Sequence, residues 1–424
     1  PGSPEGHIDG VDIDLNKSTQ KFQLHKEISF IGFQTLDIDQ RFISYDHTES
    51  EKGSPYPSVI LEQQVFSLQN ILKSQGLHLG SLFQHRDFRP SGFYWTPHTK
   101  ELNVAVFGLI ERKIINKLSL QFSARAEYLS VIPDVYHKVA NIELSQVVQR
   151  NFSLLSGGIS VYQNWDYWEL SFGMMFTGRA PGIEDLFSDG PHLGTYSYEI
   201  GEPLLEKENT TGLEISLKRD TDKSEIRLTG YQNFSPNYHL SSPMGICEEE
   251  FTSGQSHPCA GADFIEWGAG SSGWLYKYKL SGLRAQIYGF ESELKHRLLS
   301  SIYILGKISI IRGQNLSDKI PLSYMPPDKY FLSTELDLNQ ASVLFTLKKV
   351  FPQERLGEFE TRTDGYILTD LSVTYFINKF NINHKIIFGV DNIFDQEYYN
   401  HLSRVKLIMP EKGRSFRLQY RIFF

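Results

Sequence analysis

From Leu118 to Tyr128 the chain is apolar at every second position. Leu118, Leu120, Phe122, Ala124, Ala126 and Tyr128 alternate with Ser119, Gln121, Ser123, Arg125 and Glu127. Successive side chains of an extended strand point to opposite faces, so this period of two predicts a strand with one greasy and one wet face. The same pattern recurs in "WELSFGMMF" (Trp168, Leu170, Phe172, Met174, Phe176), "GLEISLKR" (Leu213, Ile215, Leu217), "YFLSTELDLN" and "DLSVTYFI". It closes the chain in "GRSFRLQYRIFF", where Phe416, Leu418, Tyr420, Ile422 and Phe424 share a face. Counting from Lys21, about sixteen such segments are predicted, many near ten residues, the length a tilted strand needs to cross a bilayer.

The connections fall into two classes that take turns along the chain. Short ones are "RDTDKS" (219–224), "HRLLSS" (296–301) and "INKFNIN" (377–383). Long ones, rich in Gly, Pro, Ser and aromatics, cover 179–206, 235–275, 312–327, 351–364 and 392–412. A soluble sandwich also alternates, but so many long strands with such asymmetric connections predict an all-β, antiparallel transmembrane barrel with periplasmic turns and extracellular loops. One short helix is expected in "RAPGIEDLF" (179–187), with Pro181 in its first turn and Glu184 and Asp185 near its positive end.

Composition narrows the class further. Phe (29) and Tyr (22) dominate the aromatics, as suits a strand-rich chain. A net charge of −8 argues against a nucleic-acid partner. No run of about 18 or more apolar residues predicts a spanning helix, which leaves a barrel open. The opening "PGSPEGHIDG" has no apolar signal region, as expected of a fragment or a processed chain. Cys247 and Cys259, twelve apart in Gly/Ser-rich sequence, read as a disulfide formed in an oxidising compartment.

No nucleophile elbow, P-loop or zinc-protease motif occurs, so no enzyme is expected. Imidazole and carboxylates suit zinc and similar ions. His192 in "DGPHLGTYSYE", with Asp189 three residues before and Glu199 seven after, is the first candidate metal ligand, and His401 in "YYNHLS" the second. His239 and His257, in the long segment 235–275, are weaker candidates. Trp165, Tyr167 and Trp168 read as an interfacial girdle.

"RAPGIEDLFSDGPH" (179–192), "YEIGEPLLEKENTTGLEISL" (198–217) and "GVDNIFDQEYYNHLS" (389–403) resemble signature stretches of TonB-dependent outer-membrane receptors. "PLSYMPPDKYFLSTEL" (321–336) and "YYNHLSRVKLIMPEKGRSFRL" (398–418) are similar to the branch that includes zinc-uptake receptors. The resemblance implies the C-terminal part of a barrel of roughly 22 strands, with residues 17–424 as barrel and 1–16 as the remnant of an extracellular loop. It implies energy-coupled import of a metal or metal chelate, zinc-like before an iron siderophore or haem; a passive porin or adhesin barrel is the rival class. No cofactor is implied beyond the transported metal. The expected partners are a TonB-type coupling complex reached through a plug domain absent here, outer-membrane lipid, and the barrel assembly machinery, which reads the terminal Phe424.

Overall fold

The computed structural model describes the chain except residues 1–10, 52–54, 58, 93–95, 135–140, 193–194, 196, 248, 250–257, 268–273, 380–381, 408 and 424. It runs β1 (Val11–Phe30), β2 (Phe33–Glu51), β3 (Val59–Ser74), β4 (Leu77–Gly92), β5 (Thr99–Ile115), β6 (Leu118–Pro133), β7 (Arg150–Trp165) and β8 (Trp168–Arg179). The helix α1 (Ile183–Phe187) and the short strands β9 (Asp189–His192) and β10 (Ser197–Ile200) follow. Then come β11 (Glu208–Asp220), β12 (Ser224–Pro243), β13 (Ile265–Trp267), β14 (Trp274–Leu299), β15 (Ile302–Asn315) and β16 (Ile320–Pro321). The chain ends with β17 (Lys329–Asp337), β18 (Ala341–Val350), β19 (Tyr366–Lys379), β20 (Ile382–Asp391) and β21 (Ser415–Phe423).

Four of the 21 strands are short pieces above the wall, and the other seventeen form it. Each wall strand pairs antiparallel with the next, from β1–β2 to β20–β21, passing over the short strands at β8–β11, β12–β14 and β15–β17. The expected all-β barrel wall is therefore present, as an up-and-down meander. Among the described residues β1 pairs only with β2 and β21 only with β20, so the two outer edges are unpaired.

Several strands are longer than a bilayer crossing requires: β14 has 26 residues and β12 has 20. These extensions absorb sequence expected in loops, since 235–243 belong to β12. β1 likewise begins at Val11, so residues 11–16 are strand rather than loop remnant. The terminal Phe424 lies outside the described residues. Short turns sit at one end and long loops at the other. The β1–β2 turn has only Ile31 and Gly32 between the strands, both at positive φ (47° and 82°), which is what a two-residue hairpin with right-handed twist demands.

Burial inverts the rule of soluble proteins. On β6 Phe122, Ala124 and Tyr128 are exposed, while Gln121, Arg125 and Glu127 on the other face are half-buried. Those polar groups satisfy one another inside the lumen: Arg125 Nε donates to Glu127 at 2.6 Å, and so does Asn103 Nδ2. The lumen holds a cavity of about 920 Å³ lined by Lys73, Arg125, Glu214, Tyr231 and Glu291 among others. At the short-turn end Trp165, Tyr167 and Trp168 are exposed, as an interfacial girdle would be.

Ordinary burial returns only above the wall. Ile183, Leu186 and Phe187 of α1 are fully buried and pack with Val131, Phe152, Leu154, Tyr198, Leu275 and Leu280. This core lies among the long loops and strand extensions and forms a cap over part of the mouth.

Candidate functional site

The helix α1 is held by its own sequence and by the wall. Its first residue is Ile183, so Pro181 precedes the helix rather than entering its first turn. Asp185 accepts a hydrogen bond from the Gly182 amide at 3.0 Å, satisfying a donor that the helix cannot. Glu184 takes one from Arg86 Nη2 on β4 at 3.2 Å, and the same guanidinium reaches Glu101 and Gln63. Arg86 therefore ties the helix to the wall.

After α1 the chain turns back as the β9–β10 hairpin. The segment expected as one loop presenting His192, Asp189 and Glu199 is thus regular structure. Opposed residues share a face and neighbours alternate. The register sets His192 against Ser197 and Gly190 against Glu199, which puts His192 and Glu199 on one face. Asp189 lies opposite Ile200, on the other face. Its carboxylate is engaged there: it accepts from the Asn141 amide (2.7 Å), Asn141 Nδ2 (2.8 Å), the Ile142 amide (3.2 Å) and the Tyr198 hydroxyl (3.0 Å). Burial, and then the Asp189 carboxylate, push the Tyr198 phenol well up, which keeps it a donor. Asp189 pins Asn141 and Ile142 to the hairpin; strand alternation is the physical reason it does not join His192.

Glu199 is also engaged. It pairs with Arg404, which comes from the β20–β21 connection. The Arg404 guanidinium lies 4.6 Å from the centre of the Tyr278 ring and reaches the Ser197 and Ser241 hydroxyls at 3.5 Å. β10 itself pairs parallel with β14 over 276–279, beyond the point where β15 leaves that edge. One arginine therefore joins three separate hairpins across the mouth.

His401 belongs to a second knot. It is 2% exposed. Its Nδ1 lies 2.9 Å from the Thr363 hydroxyl and 3.2 Å from Lys406 Nζ. With Nδ1 accepting, Nε2 carries the proton and faces Glu360 Oε1 at 2.9 Å, off the line of an ideal hydrogen bond. Glu360 also accepts from the Tyr324 amide (2.8 Å) and the Gly357 amide (2.9 Å). Burial alone would raise the Glu360 carboxyl, but His401 and the two amides outweigh it and hold the group below its ordinary value. Burial pushes the Lys406 ammonium down, against the pull of Glu360, while its Nζ donates to the Thr361 carbonyl at 2.8 Å. The knot fastens 351–365 to 392–414.

Among the described residues no group of three or more His, Cys, Asp or Glu side chains could hold a metal ion, so His192, Asp189, Glu199 and His401 are not brought together. His239 is buried, with Nε2 2.8 Å from the Glu206 carbonyl; His257 lies outside the described residues. The cysteines do meet: Cys247 and Cys259 form a disulfide with Cα atoms 5.9 Å apart. Sequence reasoning missed Arg86, Asn141, Glu360, Arg404 and Lys406. Only "SRVKL" carried a hint, two cations in an otherwise apolar stretch just after the recognised motif.

A family model described as "TonB dependent receptor-like, beta-barrel" matches residues 9–393. Solved structures agree in fold. The copper transporter OprC has a TM-score of 0.77 at 17% identity, covering 97% of this chain and 66% of that one. The FrpB iron transporter from Neisseria meningitidis (F3-3 variant) has a TM-score of 0.70 at 12% identity, covering 99% and 64%. The ferric-catecholate import receptor Fiu from E. coli K12, in its closed form, has a TM-score of 0.67 at 11% identity, covering 97% and 64%. At these identities the likeness is one of fold, and the chain spans less than two-thirds of the length of these structures. Polar lumen, greasy exterior, alternating short turns and long loops, and a match over most of its length lead to one assignment: the chain belongs to the TonB-dependent receptor-like β-barrel family, a family of the outer membrane.

Proposed function

We propose that this chain forms the larger part of the barrel of a receptor that takes up a metal ion or metal chelate across the outer membrane, powered through a TonB-type complex. The observation that carries this reading is the mouth. Loops from β8–β11, β12–β14, β18–β19 and β20–β21 are knitted over a polar lumen by Arg404 and by the Glu360–His401–Lys406 knot. Loops tied together over the lumen suit gated uptake better than free passage. On this reading the coupling contact would come from a plug domain seated in the lumen.

A zinc-like ion is the first cargo to test. His192 and Glu199 share a hairpin face, and imidazole with a carboxylate is a common partial ligand set for zinc, which would have to draw Glu199 away from Arg404. The plug would complete it. A second reading, uptake of an anionic iron chelate, is favoured by the Arg404 guanidinium stacked on Tyr278. The test is the full-length receptor carrying His192→Ala or Arg404→Gln. On the zinc reading His192→Ala weakens zinc binding by about tenfold or more and slows zinc-limited growth. If His192→Ala behaves as wild type while Arg404→Gln slows growth on iron chelates alone, the zinc reading fails and the chelate reading stands.

A further inference from the structure

The exterior of the wall is not uniform. Near the loop end, the outer surface of β5–β8 and β11 carries an open groove of about 590 Å³. Val104, Val106, Tyr128, Leu155 and Phe176 form its walls, and each is strongly exposed. Register accounts for the shape. Val106, Ala126 and Leu155 are opposed across β5, β6 and β7, so they share the outer face, and the next outer residue of β7 is Gly157, opposite Phe176. Ala126 and Gly157 bring almost no bulk between large neighbours, which leaves a trough. On β7 its lining runs from Ser153 to Leu155, about 7 Å at roughly 3.4 Å per residue, and Phe176 extends it toward the membrane centre.

The two ends of the trough differ. Toward the membrane centre it is apolar. At the loop end it is lined by Ser153, Lys207 and Asn209, and the Tyr128 hydroxyl donates to Asn151 at 3.0 Å beside it. Lys207 Nζ donates to the Ser153 carbonyl at 2.7 Å, which uses one of three ammonium donors and fixes the charge at the trough's head. The lining's one carboxylate, Glu127, turns to Arg125 and Asn103 in the lumen and leaves that cation unopposed within the trough.

We propose that this groove is a binding site for a single outer-leaflet lipid with an anionic phosphate headgroup, one acyl chain lying over Ala126 and the phosphate on Lys207. An apolar trough at membrane depth faces acyl chains rather than water or soluble proteins. A cation at the interfacial end selects a phosphate among the groups found there.

The test uses the full-length receptor in a mild detergent, observed by native mass spectrometry after addition of phosphatidylglycerol or of diacylglycerol. Wild type should retain one phosphatidylglycerol. Ala126→Leu fills the floor and should abolish the adduct. Lys207→Gln should weaken phosphatidylglycerol retention roughly fivefold, as expected for one interfacial lysine, and leave diacylglycerol unchanged. Leu213→Phe, on the same outer face but outside the trough, should change nothing. Equal retention by wild type and both groove variants, or equal loss in Leu213→Phe, would overturn the proposal in favour of an unspecific lipid coat.

Discussion

The wall and the cap follow opposite burial rules. In the cap, Ile183, Leu186 and Phe187 are each 0% exposed, and the buried Asp189 carboxylate accepts four hydrogen bonds. In the wall, Leu332 is 48% exposed and Phe345 44%, while the charged residues turn inward. The difference lies in the solvent. Water surrounds the cap, so apolar groups gather inside it. Lipid surrounds the wall, so apolar groups lose nothing by facing outward, and the wet side is the lumen.

That contrast can be broken most strongly at the cap core. Phe187→Ala leaves a cavity among fully buried neighbours and should destabilise the cap by about 3–5 kcal/mol. Protease sensitivity of 180–207 should rise while the wall strands keep their resistance. Wall and cap failing together would make them one cooperative unit.

The wall should respond to a different chemistry. Ile215→Arg on the outer face of β11 should cost about 2–4 kcal/mol in a bilayer unfolding titration. Gln121→Arg, on the lumen face, should cost less than about 1 kcal/mol, the net worth of its hydrogen bond with Tyr162. Equal costs on the two faces would contradict lipid contact.

The smallest effect concerns pH in the cap. The Glu360 carboxyl is held below its ordinary value of 4.5 in the folded chain, so its charged form is favoured by folding. Its contribution is complete above about pH 4.5 and is lost as pH falls through the lower folded value. Hydrogen-exchange protection in 392–414, taken relative to the intrinsic rate at each pH, should therefore fall on acidification below that point. Glu360→Gln should be poorly protected throughout, and its protection should no longer respond to pH.

Much of the wall was legible beforehand, because a period of two with turn signals needs no knowledge of distant residues. Leu118 to Tyr128 shows its face in eleven letters. The strand extensions were not, since residues 235–243 rise above the membrane, where alternation with lipid no longer disciplines the sequence. The recognised mouth motifs proved easier to find than to interpret. Asp189 and Glu199 are acceptors within reach of His192 along the chain, yet a hairpin register sends one to the opposite face and Arg404, 205 positions away, claims the other.

The sequence by itself determined the all-β wall, the alternation of short and long connections, the disulfide partners and the family, because each is written in local spacing or short motifs. Tertiary structure alone decided which carboxylates are engaged, which loops are tied together and where the exterior is grooved. Those outcomes depend on contacts such as Asp189 with Asn141, Glu360 with His401, and Val106 beside Ala126 and Leu155. Such contacts join residues far apart in the chain, and strand register, which no single segment encodes, brings them within bonding distance.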